Sequence, residues 1–363
     1  MGHVALGMGR PRSPAYDPAV CYESARVIVG PFLLYIGRIA NPLDIKTSRG
    51  MAVFRREDCV GEFRHDDGPL TLGLPRFDFA EAVAAGARTL ILGVAAAGGR
   101  MDATMIADVV AALDAGLDVA AGLHQRLRDA PAIAAAAQAG GRKLYDVRDP
   151  AAPPQVGTGQ PRAGRRLLTV GTDCAVGKMY TALHLTAGLR SRGVAADFRA
   201  TGQTGIMIAG AGVPIDAVVA DFLSGAVEWL SPARHDNGWD VIEGQGSLFH
   251  PSFAGVSTGL LHGAQPDAVV LCHDPLRTHL RGLPHMPVPD IVMCLDRNLA
   301  VARLTNPMVQ AVGVSLNTAR MAAPDALALC GAIADRTGLP CVDPVTTGVA
   351  PILDRLSARA IAA

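Results

Sequence analysis

One stretch near the middle of the chain restricts the possible folds more than any other. An apolar run, Leu167–Val170, leads into the loop Gly171–Lys178, and residues compatible with a helix follow. The loop has the G-x-x-x-x-G-K spacing of a phosphate-binding loop, in which backbone N–H groups surround an anion and the lysine adds a point charge. The order of strand, glycine-bounded loop and helix therefore predicts an α/β domain with a phosphate site.

The whole loop and the first turn of the following helix are predicted to bind a phosphorylated cofactor. The predicted cofactor-binding residues are Gly171, Thr172, Asp173, Cys174, Ala175, Val176, Gly177, Lys178, Met179 and Tyr180. For Asp173 and Cys174 the backbone N–H groups are expected to matter more than the side chains. Met179 stands where nucleotide hydrolases carry a Ser or Thr that holds magnesium. The loop thus favours a pyrophosphate without a bound metal, and no metal ligands are predicted.

Alternating apolar strands and helices predict the domain organisation. The 363 residues favour two domains. The prediction is an N-terminal arm (1–25), a Rossmann-like domain (26–150), a linker rich in Pro and Gly (151–166) and a domain containing the phosphate loop (167–363). Both domains are expected to be α/β with doubly wound parallel sheets. Candidate strands of the second domain after the phosphate loop are 194–199, 240–242, 268–272, 291–294, 310–315 and 340–342.

Composition excludes several classes of function. The 33 basic and 33 acidic residues cancel, so nothing indicates binding to nucleic acid or to an acidic membrane surface. No apolar run approaches the roughly 18 residues of a membrane span, and no secretory signal pattern is present. The seven scattered cysteines are typical of buried thiols in a reducing compartment. We therefore expect a cytoplasmic enzyme, and the alanine-rich helices of the first domain suggest a homo-oligomer.

Polar residues collect where the strands of the second domain end, which is where open parallel sheets bind ligands. Glu243 ends the strand 240–242 and is followed by Gly244-Gln245-Gly246, whose glycines let a ligand approach closely. Function is favoured for Glu243 over a turn carboxylate that caps the next element. The nearby segment Pro251–Gly259 is predicted to be a mobile lid.

Further candidates come from other strand ends and from a polar loop of the first domain. Arg199 and His273 each end a predicted strand. A structural role for His273 is as compatible with the sequence as a catalytic one. The segment 201–205 is interpreted as a substrate loop, with a structural turn as the alternative. The predicted substrate-binding residues are Lys46, Arg199, Thr201, Gly202, Gln203, Thr204 and Gly205, and the predicted catalytic residues are Glu243, Gln245 and His273.

The phosphate loop and several other motifs together resemble one family. The loop and the residues after it, Gly171-Thr-Asp-Cys-Ala-Val-Gly-Lys-Met-Tyr-Thr-Ala-Leu, are similar to the signature of the DgcN-like family of two-domain P-loop proteins. The resemblance covers nearly the whole chain and includes Tyr35-Ile-Gly-Arg, Lys46-Thr with Gly50, Thr71-Leu-Gly-Leu-Pro, Thr201-Gly-Gln-Thr-Gly, Ile242-Glu-Gly-Gln-Gly-Ser-Leu and His250-Pro. In that family the characterised activity is N-acetylation of D-glutamate with acetyl-CoA.

The resemblance implies an enzyme that moves acetyl from acetyl-CoA to the amine of a small acidic amino acid. The CoA pyrophosphate would lie on the phosphate loop without magnesium. Acetyl transfer needs a base and donors for the developing oxyanion, so Glu243 is the expected base, with loop N–H groups or Gln245 as donors. Arg199 or Lys46 would hold the substrate carboxylate.

Two other functions stay open at this point. The loop and the Glu-Gly pair also resemble dethiobiotin synthetase, so one alternative is an ATP- and magnesium-dependent ligase or kinase that acts on a small carboxylate. Met179 argues against it, because that enzyme has a threonine after the lysine. A third possibility is a nucleotide-gated binding protein without turnover.

Overall fold

The computed structural model describes residues 28–42, 44–94, 99–150, 153 and 155–360. The predicted arm (1–25) lies outside these residues. Two parallel sheets, each flanked by helices, account for the described chain. No helix in this part of the chain combines the length and the hydrophobicity that a bilayer crossing requires.

The first domain is built on a five-stranded sheet in the order β2-β1-β3-β4-β5, with every neighbouring pair parallel. Its strands are β1 (Phe32–Gly37), β2 (Cys59–Arg64), β3 (Thr89–Leu92), β4 (Asp118–Ala121) and β5 (Leu144–Asp146). Its helices are α1 (Lys46–Phe54), α2 (Phe79–Ala84), α3 (Ala103–Asp114) and α4 (Pro131–Gly140). Asp78 and Asp102 begin α2 and α3 as N-caps, because each carboxylate accepts a backbone N–H of the first turn.

The second domain is built on a six-stranded parallel sheet in the order β13-β12-β9-β6-β8-β7. Its strands are β6 (Arg165–Gly171), β7 (Ala196–Arg199), β8 (Trp239–Ile242), β9 (Ala268–His273), β12 (Gln310–Leu316) and β13 (Cys341–Val342). Its helices are α5 (Lys178–Ser191), α6 (Gln203–Ala209), α7 (Leu223–Leu230), α8 (Ala254–Ala264), α9 (Ile291–Ala302), α10 (Ala323–Thr337) and α11 (Ala350–Ala360).

A short antiparallel hairpin interrupts the alternation of strands and helices after β9. It consists of β10 (His279–Leu280) and β11 (Leu283–Pro287), with Leu280 paired to Leu283. Arg281-Gly282 forms the turn, and Gly282 has a φ of +78° that favours glycine. The hairpin follows the strand next to β6, so its turn lies beside the phosphate loop.

Two predictions about the secondary structure of this domain are wrong. The apolar run 291–294 begins helix α9 and is not a strand, because Asp290 caps that helix and Ile291, Cys294 and Leu295 share one buried face. A run of so few apolar residues fits both periodicities. The segment Pro251–Gly259 is likewise not one loop, because helix α8 begins within it at Ala254; its role as a lid stays a prediction.

The two domains contact each other through α1 and α6. Thr47 Oγ1 lies 2.7 Å from Thr204 Oγ1, and Arg55 Nη1 donates to Ile208 O at 2.7 Å. Arg148 and Asp216 form an ion pair at 2.9 Å. One hydrophobic cluster includes residues of both sheets. The edge of the second sheet that carries the phosphate loop therefore faces the first domain.

The end of the predicted linker packs against α7. The buried Glu228 carboxylate accepts hydrogen bonds from the backbone N–H groups of Thr158 and Gly159. Gly225 of the same helix lies so close to the chain that a Cβ there would overlap Gln155 O. The segment is therefore held by close packing as well as by hydrogen bonds.

This packing predicts opposite effects for two helical glycines. We expect Gly225→Ala to lower the free energy of unfolding by about 1–3 kcal/mol, because the added methyl must displace backbone. The matched control is Gly331→Ala in α10, where an added Cβ meets nothing within 4 Å; it should raise stability by up to about 1 kcal/mol. Urea unfolding followed by circular dichroism measures both, and equal effects would contradict the close contact.

Candidate phosphate and acyl-transfer site

The loop between β6 and α5 has the backbone of an anion site. Ala175 and Gly177 have φ values of +53° and +104°. The backbone is therefore left-handed at these two residues, a geometry that turns successive N–H groups toward the loop centre. Helix α5 begins at Lys178 and adds the N-terminal end of its dipole. The buried Lys178 Nζ donates to Asp173 O and Gly246 O, both at 2.8 Å, and burial lowers the pKa of Lys178.

The Asp173 side chain organises this loop and joins it to the hairpin. Its fully buried carboxylate accepts hydrogen bonds from Cys174 N at 2.7 Å, Arg277 Nη1 at 2.7 Å and Arg281 N at 2.8 Å. Arg277 also donates to Cys174 O. The backbone of Asp173 was expected to matter more than its side chain, but its carboxylate also has a structural role, since it links the phosphate loop to a segment about a hundred residues away.

The only group of potential metal ligands found among the described residues is Asp173, Cys174 and His250, whose ligand atoms lie within 4.8 Å of one another. Asp173 Oδ2 already accepts two hydrogen bonds. His250 Nε2 donates to Arg281 O at 2.9 Å, and burial raises the pKa of Cys174. The lone pairs that a cation needs are thus engaged or protonated, so the group fits a structural network better than a metal site.

Glu243 is the buried carboxyl group at the end of β8. Its Oε2 accepts hydrogen bonds from the backbone N–H groups of Thr201 and Gly202, each at 3.0 Å. Burial raises its pKa from 4.5 to about 7, although these N–H groups and Lys178 act in the opposite direction. Among the described residues Oε1 has no hydrogen-bond partner. Near neutral pH this carboxyl group can both accept and release a proton.

The segment 201–205 fits closely around Glu243. A Cβ at Gly205 would overlap Glu243 Oε2, and one at Gly202 would lie 2.5 Å from Gln245 Nε2. Gln245 Nε2 donates to Thr201 Oγ1 at 3.2 Å. The structure therefore brings together five of the predicted residues, and glycine is required at 202 and 205 because the chain passes so near to these side chains.

The first domain contributes Lys46 to the same region. Lys46 begins α1, directly before Thr47, which contacts Thr204. Its side chain is solvent accessible, yet protein surrounds it closely enough for desolvation to lower its pKa. The Arg281 guanidinium lowers it further, whereas Glu243, Cys174 and Asp216 raise it. Lys46 thus lies where α1 meets the segment 201–205, which encloses Glu243.

Other predicted site residues have different surroundings. Arg199 Nη2 lies 2.9 Å from Oδ1 of the buried Asp240 and forms an ion pair with it. The Tyr180 ring packs edge-on against Phe54 of α1, with the ring centroids 4.9 Å apart. His273 Nδ1 lies 2.9 Å from Thr172 Oγ1, and burial lowers the pKa of His273.

Met179 and Gln203 also point toward the first domain. Met179 Cε would lie 3.9 Å from a Cβ at Gly50 of α1, and Gln203 closely approaches Gly122 at the end of β4. These two side chains therefore belong to the contact between the domains, at the border of the site.

The sequence analysis missed Arg277 and Arg281. Both follow β9, which neighbours β6 in the sheet, whereas the only candidate predicted after this strand was His273. Two arginines between the end of β9 and Gly282 are a signal for positive charge at this strand end, beside the phosphate loop.

A phosphate-binding loop on an open parallel sheet, with a second parallel α/β domain in front of it, defines a two-domain P-loop protein. Two family models match the chain: a Rossmann-like domain of unknown function, DUF1611_N, at residues 66–150, and a P-loop domain of unknown function, DUF1611_C, at residues 155–353. The chain belongs to the DUF1611 family.

Relatives support this assignment over almost the full length. A D-glutamate N-acetyltransferase of Tritonibacter scottomollicae is 46 % identical over 332 residues, which cover 92 % of this chain and 100 % of that protein. A D-glutamate N-acetyltransferase of a Pseudoalteromonas species is 45 % identical, with coverage of 90 % and 98 %. The crystal structure of a DUF1611 family protein from Anabaena variabilis has a TM-score of 0.82 and 32 % identity, with coverage of 90 % and 99 %.

The raised pKa of Glu243 predicts a pH-dependent effect on stability. The folded protein holds this proton more tightly than the unfolded chain, whose carboxyl group titrates near 4.5. Glu243 therefore contributes most to the free energy of unfolding below pH 4.5, and the contribution is lost as the pH rises through about 7. Relative to the wild type, Glu243→Gln should become more stable by about 3 kcal/mol over this interval. Denaturant unfolding of both proteins at several pH values measures this difference in stability. A difference that stays the same at every pH would contradict the prediction.

Proposed function

We propose that the chain is an amino-acid N-acetyltransferase that transfers acetyl from acetyl-CoA to the amine of a small acidic amino acid, with D-glutamate as the acceptor. The names of the two relatives with near-complete coverage support the reaction class. The observation in the structure that carries the proposal is Glu243, a buried carboxyl group that is held by Thr201 N and Gly202 N near the phosphate loop and whose pKa is raised by burial to about 7.

Glu243 acts as the general base. An amino acid enters as an ammonium group, which cannot attack a carbonyl until it loses a proton. Glu243 accepts this proton on Oε1, because Oε2 is held by Thr201 N and Gly202 N. Acetyl-CoA supplies the activated thioester. A C–N bond forms, the C–S bond breaks, and the second amine proton goes to the departing thiolate.

Gln245 supplies a donor for the oxyanion that develops on the thioester oxygen. Its Nε2 carries two N–H groups, and one of them is used by Thr201 Oγ1. The other has no partner among the described residues. Thr201 fixes the amide, since its hydroxyl donates to Glu243 O at 2.6 Å. Base and oxyanion donor are therefore held by one connected set of hydrogen bonds.

The phosphate loop holds the CoA pyrophosphate. The left-handed residues Ala175 and Gly177 and the start of α5 present backbone N–H groups to an anion. Two of the three N–H donors of Lys178 Nζ go to carbonyl groups, which leaves one for a phosphate oxygen. The apolar Met179 removes the hydroxyl that would hold magnesium, and a cofactor bound without metal has no need of it.

His273 acts through Thr172 and does not exchange protons with substrate. Burial lowers the pKa of His273, so the neutral ring holds Thr172 Oγ1 at the entrance of the loop. Lys46 binds a carboxylate of the acceptor, because α1 places it next to the segment 201–205 that encloses Glu243. Arg199 is left to the ion pair with Asp240.

The proposed base predicts the pH dependence of turnover. We expect kcat/KM to rise with pH and to level off above about 7, as Glu243 loses its proton. Glu243→Gln should abolish this rise of kcat/KM with pH and should lower kcat about 100-fold or more. The matched control is Glu228→Gln, which also removes a buried carboxylate held by two backbone N–H groups, but at the linker. Full activity in Glu243→Gln would exclude the role.

Calorimetry tests the ligand of the phosphate loop. The purified protein should bind acetyl-CoA without added metal, and Lys178→Ala should weaken binding about 30-fold, as expected for a lost charged hydrogen bond. Lys143→Ala removes an exposed lysine of the first domain and serves as the control. Binding of magnesium–ATP in place of acetyl-CoA would overturn the proposal and point to ligase chemistry.

A further inference from the structure

Two cations at the site have no acidic partner among the described residues. Arg277 is paired with Asp173 and Asp274, and Arg320 with Asp274. Lys46 and Arg281, by contrast, form no ion pair within the described part of the chain. A positive charge without a partner, next to a second positive charge, is a natural place for an anionic ligand.

The Arg281 main chain is fixed although its side chain is exposed. Arg281 N donates to Asp173 Oδ2 at 2.8 Å, and Arg281 O accepts from His250 Nε2 at 2.9 Å. Arg281 also occupies the turn of the hairpin, where Gly282 takes the left-handed position. The residue is therefore anchored through both its backbone N–H and its carbonyl group, while its side chain is exposed to solvent.

The positive charge of Arg281 acts on groups of both domains. It lowers the pKa values of Lys46 in the first domain and of Cys174 in the phosphate loop. Lys46 directly precedes Thr47, which contacts Thr204 in the segment that encloses Glu243. Two positive charges, one from each domain, therefore lie near one base.

We infer that Arg281 and Lys46 form a split carboxylate site, in which each cation binds one of the two carboxylates of an acidic amino acid and the amine is left facing Glu243. This inference rests on the proposed function. It explains why an acidic amino acid is selected as the acceptor: each of its two carboxylates has its own cation. Arginine binds a carboxylate through two parallel hydrogen bonds, whereas lysine acts as a point charge. Bound dicarboxylate also removes the repulsion between the two cations.

Binding measurements with paired ligands test this site. Calorimetry would compare D-glutamate with D-glutamine, which lacks the side-chain carboxylate, on the wild type, Arg281→Gln and Lys46→Gln. Each substitution should weaken D-glutamate binding about 30-fold. One of the two substitutions should have no effect on D-glutamine, because the carboxylate that its cation binds is missing. Arg281→Lys should retain part of the affinity.

Two controls separate side-chain recognition from damage to the fold. Arg281 is held through its backbone, so Arg281→Gln should keep the hairpin and leave the Kd of acetyl-CoA unchanged. Arg303→Gln removes an exposed arginine at the end of α9 and should leave both ligands unaffected. A loss of acetyl-CoA affinity in Arg281→Gln would overturn the inference, because it would assign Arg281 to the CoA phosphates.

The outcomes also separate this inference from the proposed function. A wild type that acetylates D-glutamate, together with an Arg281→Gln variant of unchanged D-glutamate affinity, would overturn the split site alone. A wild type that binds D-glutamate through both cations without turnover would overturn the acetyltransferase and support the site. Equal losses for D-glutamate and D-glutamine in both variants would contradict the assignment of one carboxylate to each cation.

Discussion

The buried carboxylate of Asp173 is the interaction on which the site depends. An isolated buried charge costs several kcal/mol, so this one persists only because Cys174 N, Arg277 and Arg281 N all donate to it. The same bonds fix the phosphate loop and hold the hairpin against it. Removing the carboxylate would leave Arg277 with Asp274 as its remaining acidic partner and would take away the hydrogen bond that holds Arg281 N to the loop. The shape of the loop is thus maintained by a contact with another part of the chain.

The site is composed from both domains, and its parts have different physical tasks. The phosphate loop offers backbone N–H groups and buried positive charge, which suit an anion. Glu243 and Gln245 are tied together through Thr201 and form the part suited to proton transfer. Lys46 arrives from α1, whose position depends on the packing of Thr47 against Thr204. Contacts between the domains therefore set the distance between Lys46 and Glu243, although neither side chain takes part in them.

Local patterns were sufficient for most of the fold and for part of the site. Short apolar runs followed by polar residues identified β6, β8 and β9, and the polar residues after β8 led directly to Glu243. The run at 291–294 failed because four apolar residues fit a strand and a buried helix face equally well. The sequence shows two arginines after β9, but the place of Arg277 and Arg281 beside the loop is created by hydrogen bonds to Asp173, across about a hundred residues of chain. The ion pair of Arg199 could not be predicted for a related reason, since its partner Asp240 lies on the neighbouring strand.

The contact of Met179 with α1 has a consequence for how such a protein can diverge. The position after the loop lysine is occupied by a thioether that fills space next to Gly50. A hydroxyl there would restore a magnesium ligand but would leave a gap in the seam between the domains. Contact between the two domains favours a large apolar side chain at residue 179, whereas magnesium-dependent nucleotide chemistry requires a hydroxyl there. A descendant that gained a magnesium ligand at this position would therefore give up part of the contact between its domains.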